Sequence, residues 1–142
     1  MDRAARSIWA INKAGQMFFA RRLAPLGLGV GQFPLLSVLY AKEGLSQEEI
    51  AAFLGIDKAA VAKSLVKLLS EGYVERRGDD ADARVKRVWL TEKARKAKKA
   101  VLAVESDWEA RLLDGFSPKE AATVAAYLRR VDENARRDSS SD

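Results

Sequence analysis

The sequence predicts a mainly α fold that carries a small β-wing. Three observations predict it. Apolar residues recur at helical spacing through six stretches of the 142-residue chain. Two short alternating runs flank a Gly/Asp-rich loop between residues 73 and 90. Ser-x-x-Glu capping boxes stand at Ser46 and Ser117, each just ahead of an apolar run.

The first stretch, Ala4 to Leu23, places Ile8, Ile11, Gly15 and Phe18 on one stripe, with Trp9 and Phe19 widening it. Pro25 and the Gly27, Gly29, Gly31 cluster end it in a loop. Gln32 to Lys42 is nearly all apolar and reads as a buried helix closed by Gly44. Ser46 opens a short helix whose inner face is Ile50, Ala51 and Leu54, and Gly55 turns the chain tightly. Asp57 is a suitable N-cap for the next helix. There Val61, Leu65, Leu68 and Leu69 face inward, so Lys58, Lys63 and Lys67 face outward. Gly72 ends that helix. Tyr73 to Arg76 and Lys86 to Leu90 are the two expected strands. Thr91 caps a long helix striped by Ala94, Ala97, Val101, Val104, Trp108 and Leu112, which Gly115 closes. The last helix follows Ser117-Pro118, with Ala121, Val124, Leu128 and Val131 as its stripe; from Arg136 onward the chain is expected to fray. The expected order is α-α-α-α-β-β-α-α, a winged helix-turn-helix flanked by helices at both ends.

Charge is unevenly spread. Residues 56–100 hold 13 Lys/Arg against 7 Asp/Glu, or +6 of a chain total of +5, which leaves −1 elsewhere. A basic segment in a near-neutral chain points to a localised polyanion site. The chain contains no Cys and no His. Disulfides, thiolate or imidazole metal sites, and Cys or Ser–His catalysis are thereby excluded, so no catalytic residue, cofactor or metal is expected. The loop acids Asp79, Asp80 and Asp82 read as turn formers rather than as a carboxylate metal cluster. The N-terminus is too charged for a signal peptide, and no apolar run approaches the roughly 20 residues of a membrane span. A soluble cytoplasmic protein is the expectation.

The central segment has the parts a DNA reader needs. A recognition helix enters a major groove with polar residues at its N-terminal half, and an Arg on a projecting loop can enter the neighbouring minor groove. Its residues are Leu45-Ser46-Gln47-Glu48-Glu49-Ile50-Ala51, Leu54-Gly55-Ile56, Gly72-Tyr73-Val74-Glu75-Arg76, Asp82-Ala83-Arg84 and Val88-Trp89-Leu90-Thr91. With the Gly31-Gln32-Phe33 step they resemble the MarR family of bacterial transcription regulators, over nearly the whole chain.

That resemblance implies a homodimer acting on duplex DNA, most often as a repressor, on a pseudo-palindrome with half-site centres about 34 Å apart. The chain would be a single MarR-like domain over 1–142, with 1–30 and 92–142 as dimerisation helices and 31–91 as the DNA-binding lobe. Ser46 and Gln47 would meet phosphate at a helix N-terminus. Lys58, Ala59, Ala60, Ala62 and Lys63 would occupy the recognition positions. Arg84 would be the wing-tip residue, and Asp82 would orient it or pair with an arginine such as Arg76. Lys67, Arg77, Lys86 and Arg87 would be candidate backbone contacts. Family members usually place Ser or Thr among the positions held here by Ala59, Ala60 and Ala62. Alanine offers a base edge only a methyl contact, so direct readout would shift to Lys58, Lys63, Ser64 and the wing, with a larger share from DNA shape.

The resemblance also implies a cleft for a small aromatic effector. Trp9, Phe18, Phe19, Phe33 and Trp108 are the residues that can line one; an aromatic stripe at this spacing is more often core or dimer interface. The competing reading of the whole segment is a winged-helix protein–protein module that makes no use of DNA.

Overall fold

The computed structural model describes residues 3–137. It is mainly α with a small antiparallel sheet. The elements are α1 (Ala4–Leu23), a 3-10 turn (Ala24–Leu26), α2 (Phe33–Ala41), β1 (Leu45–Ser46), α3 (Gln47–Leu54), α4 (Lys58–Ser70), β2 (Val74–Gly78), β3 (Lys86–Leu90), α5 (Glu92–Leu112) and α6 (Pro118–Arg136). The chain forms two compact units, Met1–Trp108 and Glu109–Asp142.

The first unit is organised around one apolar core. Leu36, Leu39, Ile50, Val61, Leu65, Leu68, Ala94 and Val101 are all fully buried, drawn from α2, α3, α4 and α5. Truncating one of them, Leu65 for instance, would remove buried area and open a cavity, at a cost of about 2–5 kcal/mol. Buried polar groups have partners: Gln32 accepts the Gly29 amide at 2.7 Å, and the Tyr40 hydroxyl donates to the Ala94 carbonyl at 2.7 Å. The end of α4 is a Schellman turn. The Gly72 amide reaches the Leu69 carbonyl, the Tyr73 amide reaches Leu68, and Gly72 takes φ +75°.

The structure adds a strand to the two expected. β1 pairs with β3 (Leu45↔Val88, Ser46↔Arg87), so the sheet order is β1-β3-β2. Two residues are too few for alternation to be legible, and the extended backbone of Ser46 (φ −73°, ψ 162°) serves strand and N-cap together. β2 also runs on to Gly78, because β3 offers Lys86 as its partner there. Gly44 does not close α2; Lys42 ends that helix in extended conformation. Gly44 instead turns the chain into β1 at φ +75°, where a Cβ would lie 2.8 Å from the Trp89 ring. The Pro25 loop contains the 3-10 turn rather than irregular chain. On α1 the stripe is buried only in part: Gly15 is buried, whereas Ile8 and Ile11 are exposed.

In the second unit, Gly115 at φ +83° precedes the Ser117 capping box, in which the Glu120 amide donates to the Ser117 hydroxyl and the Ser117 amide donates to the Glu120 carboxylate. Along α6, Ala121 and Val124 are half-buried while Leu128 and Val131 are exposed. Of the tail expected to fray, Arg136 ends α6 and Arg137 follows in helical conformation; residues 138–142 lie outside the described ones.

Candidate nucleic-acid interface

α3 and α4 form the helix-turn-helix. The Ser46 capping box starts α3: the Glu49 amide donates to the Ser46 hydroxyl at 3.2 Å, and the Ser46 amide donates to the Glu49 carboxylate at 2.8 Å. The Ser46 amide, with help from Arg87, holds the Glu49 carboxyl below its ordinary pKa. Gly55 makes the turn in the left-handed region (φ 65°), and Asp57 caps α4 by accepting the Ala60 amide at 2.7 Å. Gln47 crosses to the Lys58 carbonyl, and Lys58 pairs with Glu48, so the two helices are tied at the end where a recognition helix meets a groove.

With Val61, Leu65 and Leu68 fully buried, the opposite face of α4 is outward. Lys58, Ala59, Ala60, Lys63 and Lys67 are exposed there, and Ala62 and Ser64 are half-buried at its margins. Lys63 and Lys67 make no ion pair among the described residues. Sequence reasoning missed Val66 on this face. It stands seven residues after Ala59 and three after Lys63, and 64% of it is exposed. The spacing was available as a signal, but an apolar residue in a helix reads as core by default.

The wing is a hydrogen-bonded turn between β2 and β3. Asp79 accepts the amides of Ala81 and Asp82, and its own amide reaches the Val85 carbonyl. Asp82 accepts the Arg84 amide at 3.0 Å, and Arg84 Nε and Nη2 at 3.1 and 3.2 Å. Both carboxyls are thereby held below the ordinary aspartate range, Asp79 chiefly by Arg87 and Asp82 chiefly by Arg84. The bonds of Asp79 and Asp82 are those of turn formers. Of the two roles expected for Asp82, its hydrogen bonds among the described residues serve Arg84 and not Arg76. The Arg84 side chain is still 91% exposed.

Between the wing and the helices lies a groove of about 370 Å³ whose walls include Ser46, Gln47, Glu48, Arg76, Arg84 and Lys86. Five of the expected site residues meet here, three of them cationic, beside one acid. Two expected backbone contacts stand differently. Arg77 folds back on Glu75 and lies over the Trp89 ring, 5.2 Å from its centroid. Arg87 is engaged internally: Nε donates to Asp79, and Nη1 donates to the Gly44 carbonyl at 2.9 Å and to Glu49 at 3.1 Å. Its pKa is pushed above the ordinary arginine value, first by the bond to Asp79.

Four of the five aromatic residues expected near a cleft touch one another. Phe18 meets Trp108 at 5.2 Å and Phe19 at 6.2 Å, and Phe19 meets Phe33 at 5.0 Å. Gly15 permits this approach, since a Cβ there would sit 3.2 Å from the Trp108 ring. Trp9 lies apart, about 13 Å along the helix from Phe18, with 63% of it exposed and Lys13 above its ring.

Comparison with known proteins agrees with this geometry. A sequence model described as MarR family matches residues 26–85. The chain is 29% identical to an HTH-type transcriptional regulator of Bacillus subtilis, YybA, over 97% of this chain and 92% of that protein. It is 34% identical to a MarR transcriptional regulator from Methanosarcina mazei Go1, whose crystal structure superposes with a TM-score of 0.83 over 92% of this chain and 94% of that one. The crystal structure of a mutant MarR from E. coli complexed with operator DNA is 26% identical, with a TM-score of 0.78 over 89% and 91% of the two chains.

Proposed function

The chain belongs to the MarR family of DNA-binding transcription regulators, and we propose that it works as a homodimeric repressor on a pseudo-palindromic operator, placing α4 in the major groove and Arg84 in the adjacent minor groove. The single observation that carries this placement is the exposed α4 face standing beside a wing whose Arg84 is ordered by Asp82 and yet almost wholly open to solvent. Lys63 and Lys67 would neutralise phosphates, and Ser46, with its hydroxyl at the N-terminus of α3, would meet another. Ala59, Ala60, Ala62 and Val66 offer only apolar contact, which suits thymine methyl groups.

Dimerisation fits the apolar side chains that this single chain leaves exposed, Ile8, Trp9 and Ile11 on α1, and Leu128 and Val131 on α6. The pseudo-two-fold axis would then set two α4 helices about 34 Å apart. An effector would act by changing that separation, which weakens both half-sites together. The role is non-enzymatic, in keeping with a chain that has no Cys or His to supply a nucleophile–base pair. Action in the cytoplasm agrees with the finding that, among the described residues, no helix is long and apolar enough to cross a membrane.

Selection of duplexes from a random-sequence pool tests this. Enrichment of a two-fold repeat with half-sites one helical turn apart is the expected result. Enrichment of single, unpaired half-sites would contradict the dimeric reading, and no enrichment at any salt would contradict operator binding.

A further inference from the structure

Arg87 belongs to β3, opposite Ser46 on one side and Arg77 on the other. Its side chain is 32% exposed, against 91% for Arg84. Three of its five N–H directions are taken, by acceptors from three separate places: Asp79 at the wing base, the Gly44 carbonyl in the turn before β1, and Glu49 in the first turn of α3. Glu49 simultaneously closes the capping box of that helix.

We infer that Arg87 is a positioning residue that locks the wing to the start of α3 and so fixes where Arg84 stands relative to the reading face of α4. The inference rests on the proposed reading of the wing as a DNA contact. The connection is continuous. Glu49 holds Arg87, Arg87 holds Asp79, Asp79 carries the amides of Ala81 and Asp82, and Asp82 holds Arg84. Arg87 makes a poor phosphate ligand in this setting. Together with Asp79 and Glu49 it forms a cluster of net charge −1, which repels an incoming phosphate. The raised arginine and lowered aspartate and glutamate pKa values agree with an ion-pair network that stays charged. A single guanidinium also suits the task better than an ammonium, because its planar fork can bond separate acceptors at once.

The two roles for Arg87 predict opposite signs for Asp79→Asn. Asparagine retains the Oδ1 that accepts Ala81 and Asp82, and loses the Oδ2 that binds Arg87. If Arg87 were a phosphate contact, this change would free a cation, remove an anion and tighten binding. As a positioning residue, its release weakens binding by roughly tenfold, the scale of one specific contact. The probe is the duplex that the wild-type protein enriches from a random-sequence pool, and melting temperature confirms that each variant is folded. Arg87→Ala and Arg87→Lys are expected to weaken binding similarly while the slope of log K against log salt stays at the wild-type value. In the Asp79→Asn background, Arg84→Ala is expected to cost little more, because the wing is already misplaced. Glu49→Gln, which still closes the capping box, is expected to weaken binding in the same direction. Unchanged or tighter binding by Asp79→Asn, or a salt slope that falls by about 0.9 in Arg87→Ala, would overturn the inference while DNA binding stands. A wild-type protein that enriches no duplex would overturn both.

Discussion

Asp82 holds Arg84 by both guanidinium edge nitrogens, at 3.1 and 3.2 Å, and accepts its backbone amide at 3.0 Å, while the Arg84 side chain stays 91% exposed. A surface pair of this kind is worth little to stability. On the proposed docking its use is directional: the carboxylate would restrict an otherwise free arginine before the minor groove is met, which would lower the ordering cost on binding. Arg84→Ala is therefore expected to weaken DNA binding by about 1–3 kcal/mol, with the melting temperature and oligomeric state unchanged. Asp82→Asn should weaken it less. Binding isotherms on a wild-type-selected duplex decide this, and unchanged affinity in Arg84→Ala would remove the wing from the interface.

Lys63 and Lys67 face outward from α4 without ion-pair partners among the described residues. Each alanine substitution is expected to lower affinity evenly across sequences and to reduce the salt slope by about 0.9. Equal slopes in wild type and Lys63→Ala would mean that Lys63 neutralises no phosphate.

Much of this candidate interface was legible in the sequence, for physical reasons that differ by element. The capping boxes at Ser46 and Ser117 and the Asp57 cap are local, so four consecutive residues contain all the information and the structure bears them out. The inward faces of α3 and α4 follow from helical periodicity alone. β1 was not legible, because a two-residue strand exists only through β3, some 40 residues later. The network at Arg87 was hidden for the same reason. Its partners lie 8, 38 and 43 residues away, and an arginine beside Lys86 reads in sequence as one more surface cation.

Val66 shows the opposite failure, an apolar residue that is exposed at 64%. It contributes nothing to the buried core, so Val66→Asp is expected to leave the fold intact. It should weaken binding to every duplex, since it places an anion among phosphates. Normal DNA affinity in Val66→Asp would show that this part of α4 does not approach DNA.

Protonation gives a further expectation. Glu49, Asp79, Asp82 and Glu120 all have pKa values lowered in the folded chain, with amide or arginine hydrogen bonds as the leading causes. Their contribution to stability is thus complete above the unfolded carboxylate range of about 4 and is lost as pH falls through the lowered folded values. Tyr40 acts at the other end. Burial pushes its pKa to about 12, so the folded state keeps the phenol proton longer than the unfolded chain, and stability falls as pH rises from about 10. With no histidine in the chain, thermal melts are expected to vary little around neutrality and to fall at both extremes. A sharp loss near pH 6 would contradict this.

On the proposed function, the α4 face and the Arg84 wing grip duplex DNA as a paired unit. Titration of the selected duplex over a range of salt concentrations, with wild-type protein and Arg84→Ala side by side, tests it most directly. The expected result is a linear fall of log K with log salt, steep enough to require several phosphates at about 0.9 each, and a vertical offset for Arg84→Ala at every salt. Binding that ignores salt, or two coincident lines, would contradict a paired grip by α4 and the wing.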